Sequence, residues 1–174
     1  MNLKLSTYIS EADIQKKVKE LGQTLSARFK DTDVVAVCVL KGSFVFYSDL
    51  IRAIETDVQC EFFGVSSYQG TTSSGEVKVT LDLGHSIEGK DVLLVEDIID
   101  TGLTMNYLKA NLMARKPKSL TTICLLEKPD ALKVPCKIDL VGFKIPNDFV
   151  VGYGLDYQGF YRNLPYIAQV QNFQ

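Results

Sequence analysis

Three carboxylates within five positions, Glu96, Asp97 and Asp100, follow directly on the apolar run Val92-Leu93-Leu94-Val95 and lead into Thr101-Gly102-Leu103-Thr104. The run is too short for an amphipathic helix and reads as a strand buried on both faces of a parallel sheet. Adjacent acids at the end of such a strand lie where open α/β sheets bind ligands, beyond the strands' carboxyl ends. The hydroxyl-and-glycine turn has the character of a helix N-terminus. Unpaired backbone N–H groups and the helix dipole favour an anion there, and Gly102 lets the backbone approach it closely. Acids suited to a diol or a metal, beside a cradle for a phosphate, describe a site for a sugar phosphate. Taken singly, Asp100 is equally a helix cap, and Glu96 and Asp97 are equally solvated loop acids. Their combination with a buried strand and Thr-Gly-x-Thr favours the sugar-phosphate reading.

Other elements must hold this turn in place. Ser10 and Asp13 resemble a capping box, and Ile14, Val18, Leu21, Leu25 and Phe29 recur at helical spacing, which predicts an amphipathic first helix. Residues 34–40 form a second continuous apolar strand that ends in Lys41-Gly42-Ser43, and residues 44–54 read as a helix. Val58, Cys60 and Phe62 alternate with Gln59 and Glu61 as in a strand. Residues 69–75 contain no large apolar side chain, and residues 77–83 alternate again, so the segment between them reads as the loop of a long hairpin. A helix is expected over residues 105–114, a third buried strand over 120–126 ending in Glu127-Lys128, and a short strand over 139–143. Residues 146–153 then lead to Gly154-Leu155-Asp156-Tyr157. Strand and helix alternate through the centre, the pattern of an α/β fold with a mostly parallel sheet and helices on both faces.

The chain of 174 residues reads as one domain over 1–174, long enough to bury roughly 70% of its unfolded surface. Its 46% hydrophobic and 23% charged residues are those of a globular chain, and a net charge of −2 argues against a broad electrostatic grip on nucleic acid or anionic membrane. No apolar stretch approaches the roughly 20 residues of a membrane span. The first ten residues lack a signal-peptide pattern, so the expected location is the cytoplasm. Cys38, Cys60, Cys124 and Cys136 are widely spaced, with no C-x-x-C pair, and His85 is the only histidine, which argues against zinc. They read as buried thiols of a reducing compartment rather than as two disulfides. There is no P-loop, no G-x-G-x-x-G turn and no G-x-S-x-G elbow.

Residues 92–104 resemble the phosphoribosyl-diphosphate signature of the type I phosphoribosyltransferases, and the resemblance extends over most of residues 34–165 in the order and spacing of the hypoxanthine-guanine branch. Leu40-Lys41-Gly42-Ser43 is similar to the diphosphate loop of that branch, and Ser66-Ser67-Tyr68 with Thr72-Ser73-Ser74-Gly75-Glu76 to its catalytic lid. Leu125-Leu126-Glu127-Lys128 and the stretch Phe149-Val150-Val151-Gly152-Tyr153-Gly154-Leu155-Asp156-Tyr157, with Arg162 after it, are similar to its purine pocket. Leu103 stands where some members carry a basic residue.

The resemblance implies a type I phosphoribosyltransferase fold with a small hood and a flexible hairpin lid, and transfer of a 5-phosphoribosyl group from 5-phospho-α-D-ribose 1-diphosphate to hypoxanthine or guanine. It implies that Asp100, Thr101, Gly102, Leu103 and Thr104 hold the 5-phosphate and that Asp100 is the general acid/base facing N7. Lys41, Gly42 and Arg162 would meet the diphosphate, with a non-proline cis peptide at Leu40–Lys41, and Glu96 and Asp97 the ribose hydroxyls. Lys128, Phe149, Val150 and Asp156 would receive the purine, and Ser67 and Tyr68 would belong to the lid. Mg²⁺ is the implied cofactor, held by Glu96, Asp97 and Asp156, and a homodimer or homotetramer the implied assembly. Asp156 and Arg162 also admit a plain reading as a surface ion pair. A xanthine-preferring enzyme, and a non-catalytic regulator that senses nucleotides or binds RNA on the same fold, are the alternatives.

Overall fold

The computed structural model describes residues 3–67 and 77–171. Tyr68 and the glycine- and hydroxyl-rich loop at 69–75 lie outside the described residues. The chain begins with strand β1 (Leu5–Ile9) and helix α1 (Glu11–Arg28). Ser10 caps that helix as its sequence requires, its hydroxyl accepting from the Asp13 N–H at 3.1 Å. Strand β2 (Val34–Leu40), helix α2 (Phe44–Arg52) and strands β3 (Val58–Ser67) and β4 (Val77–Leu81) follow. Strand β5 (Asp91–Ile99), helix α3 (Leu103–Met113), and strands β6 (Ser119–Glu127), β7 (Leu140–Lys144), β8 (Val150–Val151) and β9 (Ile167–Val170) complete it.

Six strands form one sheet in the order β4-β3-β2-β5-β6-β7, parallel throughout except for the antiparallel β3–β4 hairpin. Alternation along β5 explains why its sequence is apolar without interruption. Leu93 and Val95 pack on the face shared with α1 and α2, while Val92 and Leu94 pack on the face shared with Met105, Leu108 and Leu112 of α3. From β2 the chain crosses to β3 on one side, and from β5 it crosses to β6 on the other. The two strand ends therefore flank a topological switch point, the usual crevice for a ligand in such sheets.

A second sheet, β1-β9-β8, is antiparallel and forms a small hood. Its strands β1 and β9 escape a pattern search because each is short and neither carries a sustained apolar alternation. Helix limits also shift. α2 stops at Arg52 instead of residue 54, and α3 starts at Leu103 because Gly102, at φ 80°, supplies the left-handed cap that lets the helix begin sooner.

Strand β3 inverts the usual rule for an alternating strand. Glu61 is buried and Phe62 is 43% exposed, resting against Tyr47 with ring centroids 5.8 Å apart. Glu61 is held by the Gly84 N–H at 2.9 Å and by His85 Nδ1 at 2.6 Å, which ties β3 to the segment after β4. The cysteines are all free. Cys38 and Cys124 are buried and Cys136 half-buried, as expected of core thiols, but Cys60 shares the outward side of β3 and is exposed. Among the described residues no helix is long and apolar enough to cross a membrane.

Candidate active site

The site is assembled from the carboxyl ends of β2, β5 and β6 and the loop after β8. At the end of β5 a cavity of about 240 Å³ is lined by Glu96, Asp97, Asp100, Thr101, Gly102 and Thr104, with Ile98, Ile99 and Met105 as its apolar wall. The turn at 100–104 sits directly before α3, whose first N–H groups have no carbonyl one turn earlier to bond. Gly102 packs so closely on the next segment that a Cβ there would stand 2.9 Å from Cys136 Cβ and 3.0 Å from the Val134 carbonyl. The Thr101 carbonyl accepts from the Lys133 N–H at 3.0 Å, which braces the turn from behind. All five residues expected to cradle a phosphate thus sit on one turn, with Asp100 and the Leu103 side chain exposed.

The paired acids differ in setting. Glu96 is 7% exposed and Asp97 is half-buried, its Oδ1 accepting from the Ile98 N–H at 2.9 Å. The other Asp97 oxygen lies against Gly42, where a Cβ would stand 1.6 Å from Oδ2. A side chain at 42 would have to displace the Asp97 carboxylate, so the acid pair and the β2 loop are in direct contact. The Leu40–Lys41 peptide of that loop is cis, as the resemblance implied. Lys41 is exposed, and Ser43, fully buried, donates its hydroxyl to the Val39 carbonyl at 2.6 Å. Ser43 was named in the sequence only as part of its motif. A buried hydroxyl closing a strand-to-helix turn has no periodic signal that would single it out.

Lys128 directly follows the end of β6. It is 7% exposed, and among the described residues its ammonium has no hydrogen-bond or ion-pair partner. Its backbone N–H donates to the Ile99 carbonyl at 2.9 Å, which fixes it beside the acid turn. Phe149 is half-buried and meets the Tyr157 ring edge-on at 5.8 Å, and Val150 is buried. Asp156 and Arg162 form the ion pair that their plain reading anticipated, Nη2 to Oδ1 at 2.6 Å. Arg162 Nη1 also donates to the Gly154 carbonyl at 2.6 Å, and Asp156 Oδ2 accepts from the Gly159 N–H at 2.7 Å. Ser67 closes β3, paired with Val77, and Tyr68 lies outside the described residues. Among the described residues no three His, Cys, Asp or Glu side chains converge as a preformed metal cage. Glu96, Asp97 and Asp156, the three expected around a metal, are thus not gathered into such a group.

The electrostatics of the acid pair carry a test. Burial, and then the charge of Asp97, holds the Glu96 carboxyl well above the usual range. Burial also pushes Asp97 up to about 6, against the opposing pull of backbone N–H groups and Arg162. A carboxyl raised by folding binds protons that the unfolded chain has already released. Its contribution to stability is fully present below the unfolded value and is lost as pH rises through the folded one. Lowering pH from about 7 to about 5 is expected to raise the melting temperature of the unliganded protein, with Asp97→Asn flattening that slope. The depressed acids Asp82, Asp91 and Asp139 act in the opposite sense only at lower pH. Thermal melts across this range check it, and an unchanged slope in the variant would contradict it.

Comparison with known proteins adds to this geometry. The family model described as "Phosphoribosyl transferase domain" matches residues 8–158. The chain is 54% identical over 161 residues to the hypoxanthine-guanine phosphoribosyltransferase of Bacillus subtilis, covering 92% of this chain and 89% of that one. It is 49% identical over 167 residues to the enzyme of the same name from Staphylococcus epidermidis, covering 95% and 93%. A crystal structure of a hypoxanthine-guanine phosphoribosyltransferase from Bacillus anthracis superposes with a TM-score of 0.92 at 48% identity, covering 97% of this chain and 99% of that chain.

Proposed function

The chain belongs to the phosphoribosyl transferase domain family, and from that premise we propose that it is a purine-salvage enzyme of the hypoxanthine-guanine type. It transfers the 5-phosphoribosyl group of 5-phospho-α-D-ribose 1-diphosphate to N9 of hypoxanthine or guanine, giving IMP or GMP and diphosphate. The observation that carries this reading is the cavity at the end of β5, where a helix N-terminus and three carboxylates share one wall. The 5-phosphate rests on the amides and hydroxyls of residues 101–104 beside Asp100, and Glu96 and Asp97 orient the ribose hydroxyls. Lys41 and Gly42, through their backbone, and Arg162 receive the diphosphate, so that charge leaving C1 is met by fixed donors. The oxopurine O6 accepts from Lys128, its ring stacks on Phe149, and its 2-position faces the carbonyls of Val150 and Asp156. Asp100 manages the proton at N7 while N9 attacks. Ser67 and Tyr68 belong to a lid that excludes water from the ribosyl centre.

Glu96, Asp97 and Asp156 would hold Mg²⁺, a hard cation that takes oxygen ligands, keeps several waters and uses substrate oxygens as well. When bound, the ion neutralises charge on the departing diphosphate. The enzyme works in the cytoplasm as a homodimer or homotetramer. Its four free cysteines suit a reducing compartment, and the exposed rings of Phe44 and Phe62 leave apolar surface for a second copy. The test is a set of initial rates with phosphoribosyl diphosphate, magnesium and four bases, namely hypoxanthine, guanine, xanthine and adenine. Diphosphate release with hypoxanthine and guanine is expected. Preference for xanthine would replace the substrate assignment, and RNA retention without diphosphate release would replace the enzyme with a regulator.

A further inference from the structure

Three segments approach one another near Gly42, and each has its own support. The acid turn is braced by residues 133 and 134, and the β2 loop by Ser43. The third is the tight turn Gly152-Tyr153-Gly154-Leu155, which separates Val150 from Asp156 and presses on Gly42, where a Cβ at Gly154 would stand 2.2 Å from the Gly42 carbonyl oxygen. Its backbone is unusual throughout. Gly152 and Gly154 both lie at φ 101°, and Tyr153 lies at φ 49°, a left-handed conformation that a bulky residue adopts only when its surroundings enforce it.

The Tyr153 and Gly154 N–H groups donate to the Leu164 and Arg162 carbonyls at 2.8 and 3.0 Å, and the Tyr153 side chain adds a tie to α2. The ring is buried, 2% exposed, and the phenol donates to Asp49 Oδ2 at 2.6 Å. Asp49 lies on α2, the helix that starts at the β2 loop. It also accepts from Gln15 Nε2 of α1 at 3.2 Å and pairs with Arg52 through its other oxygen. Burial and the neighbouring carboxylate keep the phenol protonated, so it is the donor. A helix that begins at one ligand loop therefore grips, further along its length, the turn that flanks the other.

We propose that the Tyr153–Asp49 hydrogen bond is the positioning device that sets the separation between the base-binding and diphosphate-binding sides of the site. This rests on the proposed function. Neither residue is assigned a contact with substrate, and neither lies on the acid turn that carries Asp100. Losing the bond should thus weaken binding of both substrates while leaving the proton-handling step intact. Asparagine at 49 keeps an acceptor oxygen for the phenol and alanine does not, which gives the test its internal control.

The experiment compares Tyr153→Phe, Asp49→Ala, Asp49→Asn and the Tyr153→Phe/Asp49→Ala double variant with the wild type. Tyr153→Phe and Asp49→Ala are expected to raise KM for both phosphoribosyl diphosphate and hypoxanthine about fivefold to tenfold, with kcat within about twofold, the scale of one hydrogen bond. Asp49→Asn should stay close to the wild type, and the double variant should be no worse than the single ones, because both remove the same interaction. Unchanged KM in Tyr153→Phe overturns the proposal, as do an Asp49→Asn as impaired as Asp49→Ala, fully additive losses, or a lowered melting temperature with normal KM. Amide exchange read without substrate separates this from the enzymatic reading. Faster exchange at residues 152–155 in Tyr153→Phe supports the anchor and unchanged exchange overturns it, whereas a wild type that releases no diphosphate refutes the enzyme itself.

Discussion

Replacing Asp100 by asparagine is expected to lower kcat at least about 100-fold with hypoxanthine, within the range that positioned acid–base groups contribute. Asparagine matches aspartate in size and keeps one acceptor oxygen, so phosphate and ribose should still seat. What it loses is the capacity to take and return a proton at N7. The geometry makes the experiment clean. Asp100 is exposed, lies at the mouth of the phosphate cavity, and among the described residues makes no ion pair that the substitution would break. The folded protein should therefore melt at an unchanged temperature and bind phosphoribosyl diphosphate with near-normal affinity. Stopped-flow or steady-state rates beside a direct binding measurement read both quantities. Turnover close to the wild type would show that Asp100 only shapes the turn, as a helix-cap reading would have it.

Lys128→Met should collapse the choice between oxopurines and adenine. The Lys128 stem is buried while its ammonium has no protein partner among the described residues, so it stands ready for an acceptor that arrives. The O6 of hypoxanthine is such an acceptor, whereas the 6-amino group of adenine is itself a donor and leaves the lysine unpaired. Losing one hydrogen bond to a charged group, worth about 2 kcal/mol, should cut kcat/KM for hypoxanthine about 30-fold and leave the already poor rate with adenine little changed. Methionine fills most of the lysine volume and breaks no ion pair among the described residues, so stability should hold. That combination of lost selectivity with retained stability is the signature to look for. An unaltered ratio of hypoxanthine to adenine rates would place Lys128 outside base selection.

Both expectations rest on residues that were legible one stretch at a time. A buried strand announces itself by an uninterrupted apolar run, and a ligand turn by acids, hydroxyls and glycine packed into a few positions. For that reason residues 92–104 could be picked out from local pattern alone, whereas the Lys41-Gly42 loop and Lys128, each an ordinary strand end in isolation, stood out only through the family resemblance. Ser10 likewise capped α1 as its neighbours required. Such signals depend on the conformation of a handful of consecutive residues, which local sterics and hydrogen bonding largely dictate.

Other features were not readable in this way. The alternation of β3 is a good strand pattern, yet it is Glu61 that goes inside, because a glycine N–H and a histidine from beyond the hairpin are there to receive it. Strands β1 and β9 become strands because each supplies the other's backbone partners, from opposite ends of the chain. Asp97 occupies the space a Cβ at Gly42 would take, and Tyr153 reaches Asp49 across more than a hundred positions. From its own residues this chain determined the central strands and helices and the acid- and hydroxyl-rich turn after β5. Only the tertiary structure decided which strand ends adjoin and which side chain braces which loop. Those outcomes turn on packing and hydrogen bonds between segments far apart in the chain, for which no short stretch carries the partner.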